Sequence, residues 1–377
     1  MRILSLLCII FVLGSCENRQ KKDASQNNLG LDSHIHYAKG FTINHFDTYS
    51  ELTINNPWPG SEVSYHYLLK KDTTTLGIEA RFDAVVQVPL KTIVVTSTTH
   101  IPSLEMLGVA SKLVGFPNLD YISSAKTRAR INEGTIAELG KNEDLNTEIL
   151  IDLAPDAVVT FAVEGANKTI PTIEKSGIPV LYNGDWTETH PLGKAEWLKF
   201  FGVLFNKEQE ANLLFDTIVS QYNEAKYLAS LTSQKPTVLS GAMFKDVWYL
   251  PQGNSWAAQF IKDAHATYLW EDTEGTGSLS LNLESVLVKG QHADFWIGPS
   301  QFFSYEQMIK AHSVYQEFDA FKQKKVYTFT SKKGATGGVI YYELAPNRPD
   351  WVLQDLIKIL HPELMPDYQF HFFEPLQ

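Results

Sequence analysis

The chain has 377 residues, of which 44% are hydrophobic, and its formal net charge at pH 7 is −11. This length and hydrophobic content exclude an intrinsically disordered protein and favour two domains over one. The acidic balance and the absence of a basic stripe argue against a nucleic-acid partner, because binding to phosphate backbones relies on clustered Lys and Arg.

The N-terminus predicts a lipoprotein exported from the cytoplasm. Met1-Arg2 supplies positive charge, and residues 3–13 form an apolar run too short to span a bilayer. Leu13-Gly14-Ser15-Cys16 resembles the lipobox of bacterial lipoproteins, so residues 1–15 are predicted to be a signal peptide and Cys16 the lipidated residue. The alternative is an ordinary signal peptide with an incidental cysteine. Cleavage would leave Cys16 as the single cysteine, with no disulfide and no thiolate metal site.

Two short segments are predicted ahead of the main fold. Residues 16–40 are mostly polar and lack periodicity, which is typical of a flexible tether. The tether contains His34-Ile35-His36, which we interpret as solvated residues, since no carboxylate is nearby to complete a metal site. Residues 41–88 contain alternating apolar and polar runs separated by turn residues, and they predict a small β-ribbon.

The first α/β lobe is predicted over residues 89–205. A hydrophobic strand from Leu90 to Thr96 leads directly into a polar run and then a helical pattern; the run is Ser97, Thr98, Thr99 and His100. Open α/β sheets bind ligands at this edge, so these side chains are candidates for a cleft; simple capping of the helix is the alternative. Strands and helices alternate along the segment, which predicts a mainly parallel sheet.

Residues 206–232 predict one long helix between two lobes. Apolar residues recur at helical spacing from Ala211 to Ala229, so one stripe of the helix should be buried. Asn206 and Gln209 are three residues apart, the spacing of a capping box. A helix of about 25 residues is roughly 37 Å long, enough to act as a strut across two lobes.

The second lobe is predicted over residues 233–377, beginning with the strand Thr237 to Ser240 and ending with a helix from Arg348 to Leu360. Its loops are rich in aromatic residues and contain Gly and Pro. Core packing is the usual fate of such side chains, but aromatic loops after strand ends also line clefts. The aromatic candidates for a ligand cleft, including one from the first lobe, are Trp186, Trp248, Tyr249, Trp256, Tyr341 and Tyr342.

A short motif occurs once on each side of the long helix. Leu145-Asn146-Thr147-Glu148 and Leu281-Asn282-Leu283-Glu284 each place an Asn where it can cap a helix and a Glu in the first helical turn. Asp156 and Asp294 follow, each ahead of an apolar run. The two lobes therefore share one architecture, or the motif recurs by chance.

Motifs of common enzymes are absent from the sequence. There is no phosphate-binding P-loop, no nucleophile elbow, no zinc-protease helix and no Cys-x-x-Cys, so no catalytic residue and no metal ligand is predicted. Gly334 to Gly338 is rich in glycine but lacks a following Lys, and we interpret it as a loop.

Taken together, the lipobox, the strand that ends in Thr-Ser-Thr-Thr-His, the paired Asn-x-Glu helices and the long helix resemble one family. It comprises the periplasmic substrate-binding proteins of ABC importers for iron complexes and cobalamin, and the resemblance covers residues 88–362. The ribbon at 41–58, the stretch 248–255 and Arg348-Pro349-Asp350 are similar to a subgroup common among Bacteroidetes. The resemblance implies an α/β fold of two three-layer lobes with mainly parallel sheets, joined by one long rigid helix.

The same resemblance implies a function without bond breaking. The chain is expected to be a monomeric lipoprotein in the periplasm that captures an iron chelate, such as a ferric siderophore or haem, in a cleft between the lobes. Aromatic side chains would stack on the ligand, with polar contacts from Ser97, Thr98, Thr99, His100 and Arg348. Glu148 and Glu284 would dock against arginines of an ABC permease and ATPase complex.

Three alternatives stay open at this stage. Cobalamin is the first, since it is also large and partly apolar. An envelope enzyme on the same scaffold is the second, and it would require a nucleophile–base pair in the cleft. A lipoprotein that serves only protein–protein assembly is the third. No cofactor beyond the captured chelate is predicted.

Overall fold

The computed structural model describes residues 35–73, 75–163 and 167–377. The predicted signal peptide, Cys16 and most of the predicted tether therefore lie outside the described residues.

A four-stranded sheet precedes the first lobe. Its strands, in the order β1-β2-β3-β4, are β1 (Phe41–His45), β2 (Tyr49–Asn55), β3 (Ser64–Lys70) and β4 (Ala84–Gln87). Backbone N–H groups of residues 36–40 donate to the buried carboxylates of Glu188 and Glu196 at 2.7–3.1 Å. The end of the predicted tether is thus fixed to the first lobe, which corrects the flexible segment predicted up to residue 40.

The first lobe is built on a five-stranded parallel sheet in the order β11-β10-β5-β6-β7. Its strands are β5 (Ile93–Val95), β6 (Leu113–Phe116), β7 (Ala137–Glu138), β10 (Ala157–Thr160) and β11 (Val180–Tyr182), with a small hairpin of β8 (Gly140–Lys141) and β9 (Asp144–Leu145). Its helices are α1 (His100–Met106), α2 (Ala125–Asn132), α3 (Thr147–Leu153), α4 (Ile170–Lys175), α5 (Pro191–Glu196) and α6 (Leu198–Leu204). Strands β5 and β10 are entirely buried, as expected for a sheet covered on both faces.

The predicted linking helix is α7 (Glu208–Ser230), whose 23 residues correspond to about 35 Å. Its buried residues recur every three or four positions and run from Ala211 to Ala229, as predicted. The predicted capping box is wrong. The helix begins at Glu208, Lys207 occupies the N-cap position without a side-chain hydrogen bond, and Asn206 adopts a left-handed backbone with φ 55°.

The second lobe is built on a sheet in the order β15-β12-β17-β18-β19, in which only β19 is antiparallel. These strands are β12 (Thr237–Ser240), β15 (Thr267–Tyr268), β17 (Phe295–Ile297), β18 (Val326–Thr328) and β19 (Glu374–Pro375). A smaller antiparallel sheet contains β13 (Ala242–Phe244), β14 (Val247–Pro251) and β16 (Ser278–Leu281). The helices are α8 (Trp256–Asp263), α9 (Leu283–Gly290), α10 (Tyr305–Ala311), α11 (Asp319–Lys322), α12 (Ile340–Leu344) and α13 (Pro349–Leu360).

The repeated motif has the same local structure in both lobes. Asn146 accepts a hydrogen bond from the N–H of Ile149 at 3.1 Å, and Asn282 accepts one from the N–H of Ser285 at 2.8 Å, so each Asn caps its helix. The aspartates extend the correspondence, because each exchanges hydrogen bonds with a Thr at the start of the neighbouring strand: Asp156 with Thr92, and Asp294 with Thr237.

The predicted fold class is therefore confirmed: two α/β lobes with mainly parallel sheets flank one long helix. Within the described residues, no helix is both long enough and apolar enough to cross a membrane.

Candidate functional site

The first lobe carries a partly polar pocket at the carboxyl edge of its sheet. The pocket has a volume of about 400 Å³. It is lined by residues at or after the ends of β5, β6 and β10 and by the β8–β9 hairpin: Thr96, Ser97, Thr98, Phe116, Pro117, Asn118, Tyr121, Lys141, Asn142, Glu143 and Phe161. Thr96 and Thr160 share a buried hydrogen bond at 3.1 Å, which links β5 to β10 beneath this edge. Ser97 and Thr98, two of the predicted candidates, thus lie at this pocket.

The second lobe carries an apolar pocket at the corresponding edge of its sheet. Its volume is about 230 Å³, and its lining includes Ser240, Gly241, Ile297 and Gly298 from strand ends, with Trp256, Phe329, Tyr341 and Tyr342 as the aromatic wall. Phe329 stacks on Tyr341 with ring centroids 4.2 Å apart, and burial raises the pKa of the Tyr341 phenol. Tyr342 is 59% exposed, so its ring is available to a ligand.

Interlobe contacts bring the two edges together. The side-chain amide of Asn347 donates to the carbonyl of Thr99 at 2.8 Å. Lys194 donates to the carbonyl of Trp186 at 2.9 Å, and its ammonium lies 5.3 Å from the centre of the Trp256 ring. Burial lowers the pKa of Lys194. These contacts join the lobes beside the two pockets, because Thr99 directly follows Thr98 of the first pocket and Trp256 belongs to the wall of the second.

Two members of the predicted polar run do not face the pocket. The Thr99 hydroxyl donates to the carboxylate of Asp185 at 2.7 Å, which ties the end of β5 to the segment after β11. His100 is completely buried beside Phe201, and burial lowers its pKa to about 4. The prediction of a polar ligand contact from His100 is wrong, because its ring is enclosed by the lobe.

Alternation along β14 separates the two aromatic residues predicted there. Trp248 has no exposed surface; its indole N–H donates to the carbonyl of Ser240 at 3.1 Å, and its ring stacks on Trp296. The prediction that Trp248 lines the cleft is wrong, because its side chain points to the core face of the strand. Tyr249 lies on the opposite, exposed face, and Trp186 is partly exposed after β11.

Arg348 does not line either pocket. Its guanidinium pairs with the carboxylate of Asp350 in a bidentate arrangement and lies over the ring of Trp351, 3.4 Å from its centre. It also reaches Gln221 on α7 at 3.4 Å. The predicted ligand contact is corrected, because this charge is already neutralised at the start of α13.

Several pocket residues were not predicted from the sequence. Tyr121, which is 65% exposed, and Phe161 belong to the first pocket, and Phe329 belongs to the second. The side-chain oxygen of Asn142 is buried and has no hydrogen-bond partner among the described residues. Phe161 and Phe329 directly follow buried strands, so position after a strand end was the signal that could have found them.

A third cavity, of about 620 Å³, lies between the lobes on the other side of α12. Glu105 and Arg128 from the first lobe and Lys333 and Glu343 from the second are among the residues that line it. The Glu343 carboxylate accepts the backbone N–H groups of Ser123 and Ser124 at 2.6 and 2.9 Å. Burial, with a smaller contribution from the nearby Glu105, raises the pKa of Glu343 to about 7.

Glu148 and Glu284 are exposed, and each lies in the first turn of its helix, α3 or α9. They are on different lobes and line neither pocket. As for metals, the part of the chain that the structure describes has no group of three or more His, Cys, Asp or Glu side chains arranged to hold an ion.

The chain is similar to known proteins over most of its length. The model of the periplasmic binding protein family matches residues 93–332, more than half of the chain. Over 405 aligned residues the chain is 24% identical to an uncharacterized lipoprotein of Methanocaldococcus jannaschii, covering 98% of this chain and 95% of that protein.

Solved structures share the fold. A periplasmic heme binding protein from Pseudomonas aeruginosa superposes with a TM-score of 0.56 and 15% identity, covering 76% of this chain and 98% of that one. A periplasmic vitamin B12 binding protein of Vibrio cholerae superposes with a TM-score of 0.50 and 13% identity, covering 74% and 99%. At these identities the similarity concerns the fold, and the two proteins differ in the ligand for which they are named.

Proposed function

This chain belongs to the periplasmic binding protein family, and from that premise we propose that it captures an iron chelate, such as a ferric siderophore or haem, for an ABC importer. The chelate would be held between the lobes and passed to the permease and ATPase complex in the membrane. The protein acts by binding and presentation, so no covalent bond changes.

The observation that carries the proposal is the pairing of the two pockets. Large chelates combine a planar or apolar surface with a polar periphery. The aromatic wall of Trp256, Phe329 and Tyr342 suits the apolar surface, since such rings stack on planar groups. The hydroxyls of Ser97 and Thr98 suit the polar periphery from the opposite lobe.

Charged side chains at the rim of the first pocket would favour some ligands over others. Lys141 and Glu143 both line it and are exposed, so a ligand with anionic groups would meet Lys141 at the rim. The side-chain oxygen of Asn142, between these two residues, is buried and accepts no hydrogen bond among the described residues.

Delivery requires an anchor and a docking surface. Lipidation at Cys16 would hold the protein at the envelope membrane, in the periplasm. Glu148 and Glu284, one on each lobe, would dock against arginines of the permease, where charged pairs at a rim govern encounter and register. The exposed first-turn positions of both residues support this assignment.

Cobalamin is the alternative ligand, because a corrin ring has the same combination of an apolar plane and a polar edge. The family and the fold do not distinguish these chelates, since structures with this fold are named for heme and for vitamin B12. The enzyme and assembly alternatives differ in what they predict: turnover of a substrate in one case, and no bound small molecule in the other.

The protein purified from its own host tests the proposal. We expect its absorption spectrum to contain haem, ferric-siderophore or corrinoid bands and mass spectrometry of the released ligand to give one chelate per chain. If the bound chelate is a corrinoid, the ligand is cobalamin and not an iron chelate. If the folded protein carries no chelate and takes up none when all three classes are supplied, the proposed function is wrong.

A further inference from the structure

A buried lysine on α5 contacts an aromatic residue of each lobe. Lys194 is 8% exposed, and its ammonium donates to the carbonyls of Asp185 and Trp186 at 3.2 and 2.9 Å. The same ammonium lies over the indole ring of Trp256, 5.3 Å from the ring centre. A cation within about 6 Å of an indole centre is attracted to the ring. One side chain of the first lobe therefore holds the backbone of Trp186 and contacts the ring of Trp256 on the second lobe.

Folding stability alone does not account for a lysine at this position. Among the described residues, Lys194 forms no ion pair with a carboxylate. Burial lowers its pKa, and the nearby carboxylates of Asp185 and Glu188 act in the opposite direction. Burying a charge is costly, and replacing it by an apolar group that packs well is often neutral for stability.

Helix α5 gives the Lys194 side chain a fixed base. The buried carboxylate of Glu196, on the same helix, accepts the backbone N–H groups of residues 36–38 at 2.7–3.1 Å. A Cβ at Gly193 would lie 3.1 Å from the carbonyl oxygen of Tyr37, so the helix and this segment are in close contact. The backbone of Lys194 is thus held in place, as a residue that orients a neighbouring side chain requires.

The ring of Trp256 depends on such a contact for its orientation. Ser255 caps α8 with its side chain and so fixes the backbone at this point, but the cap leaves the side-chain torsions of Trp256 free. The rings of Phe260 and Tyr341 lie 5.5 and 6.0 Å from the indole and are tilted, so neither stacks flat on it. Lys194 supplies the contact over the ring from the opposite lobe.

We propose that Lys194 is a positioning residue of the chelate site: its ammonium holds the Trp256 ring in the orientation on which the chelate stacks and joins that ring to the first lobe. Lys194 lines neither of the two pockets, whereas Trp256 belongs to the wall of the second, so Lys194 acts through Trp256. This inference rests on the proposed function.

Calorimetric titration of the ligand-free protein tests the effect on binding. The probe is whichever of haem, a ferric siderophore and cobalamin the wild type binds. Lys194→Met keeps an unbranched stem and removes the charge, and we expect it to bind about 3- to 30-fold more weakly with a nearly unchanged melting temperature. The matched control is Lys289→Met, which removes an ammonium 5.6 Å from the centre of the Trp270 ring, outside both pockets. It should bind as the wild type does.

A double-mutant cycle tests whether Lys194 acts through Trp256. When the indole is already absent, in Trp256→Ala, the further substitution Lys194→Met should weaken chelate binding no more. If Lys194→Met weakens binding equally in the wild type and in Trp256→Ala, the positioning role is overturned, because Lys194 then acts without the ring.

Fluorine NMR of the ligand-free protein labelled with fluorotryptophan reports the ring directly. The Trp256 resonance is identified by its absence from Trp256→Ala. We expect Lys194→Met to shift this resonance and to leave that of Trp296, in the core, unchanged, whereas Lys289→Met should leave the Trp256 resonance in place. Lys194→Gln keeps an N–H donor but no charge and should give the same result as Lys194→Met. It decides the question if the Met variant does not fold.

The outcomes separate this inference from the proposed function. If the Trp256 resonance is unchanged in the Lys194 variants, Lys194 does not orient the ring and the inference is overturned. If the resonance shifts but chelate affinity equals that of the wild type, the role in the chelate site is overturned while the transport function stands. Failure of the wild type to take up any chelate contradicts the proposed function, and with it the chelate role of Lys194.

Discussion

At the scale of single residues, neighbours in the sequence have opposite roles in β14. Successive side chains of a strand point to opposite faces, so Trp248 packs in the core while Tyr249 faces outward.

We expect Trp248→Ala to lower the free energy of unfolding by about 3–5 kcal/mol, through the lost burial and the cavity left beside Trp296. Urea titration measures this value. Tyr249→Ala is the matched control and should change it by less than about 0.5 kcal/mol. If the two substitutions lowered the free energy of unfolding equally, Trp248 and Tyr249 would not lie on opposite faces of β14.

Glu343 makes folding stability depend on pH. Its pKa in the folded protein is about 7, above the 4.5 of an unperturbed Glu, mainly because of burial. The folded chain therefore binds this proton more tightly than the unfolded chain does, and the contribution of Glu343 to stability increases as the pH falls from about 7 to about 4.5. Glu343→Gln removes the titration but retains an oxygen that accepts from Ser123 or Ser124.

Urea unfolding of the wild type and of Glu343→Gln at pH 8 and at pH 5 measures this dependence. We expect the stability of the wild type relative to the variant to rise by roughly 2 kcal/mol between pH 8 and pH 5. Glu62→Gln is an exposed control and should show no such change. If the difference in the free energy of unfolding between the wild type and Glu343→Gln were the same at pH 8 and pH 5, the pKa of Glu343 would not be raised in the folded protein.

At the scale of elements, the loop between β18 and α12 fastens the second lobe onto the first. A Cβ at Gly334 would lie 2.7 Å from the Cα of Ser123, and one at Gly338 would lie 2.6 Å from the Ser123 hydroxyl oxygen. The Thr336 hydroxyl donates to the carbonyl of Asp120 at 2.6 Å. The glycine-rich segment that the sequence indicated to be a loop therefore has a packing role, because only glycine permits this approach.

Gly334→Ala tests the tightness of that contact. The added methyl group meets backbone atoms that cannot move independently, so we expect a loss of about 1–3 kcal/mol in the free energy of unfolding. Ala335→Ser, at an exposed position of the same loop, should change stability by less than about 0.5 kcal/mol. Both are measured by urea titration. If the two variants were equally stable, the lobes would not be packed as closely as described.

At the scale of the whole molecule, features that depend on nearby residues could be predicted from the sequence, whereas contacts between distant residues could not. The Asn-x-Glu helices, the buried strands and the stripe of α7 could be predicted because each depends on residues a few positions apart. The interlobe contacts could not, since Ser123 and Glu343 are 220 positions apart. Arg348 was assigned to the ligand although Asp350, two positions later, was a visible partner. The cap of α7 was misplaced by one residue, because nothing local indicated the left-handed backbone of Asn206.

The central claim is that one chelate is held between the two pockets. Calorimetric titration of the ligand-free protein with haem, a ferric siderophore and cobalamin tests it most directly. The wild type is compared with Tyr121→Ala in the first pocket, Trp256→Ala in the second, and Tyr227→Ala, an exposed control on α7. We predict that one chelate binds with one site per chain. Each pocket variant should lose about 1–3 kcal/mol of affinity, roughly 5- to 150-fold, and the control should match the wild type. Binding of no chelate by the folded protein, or pocket variants that bind as tightly as the control, would contradict the account.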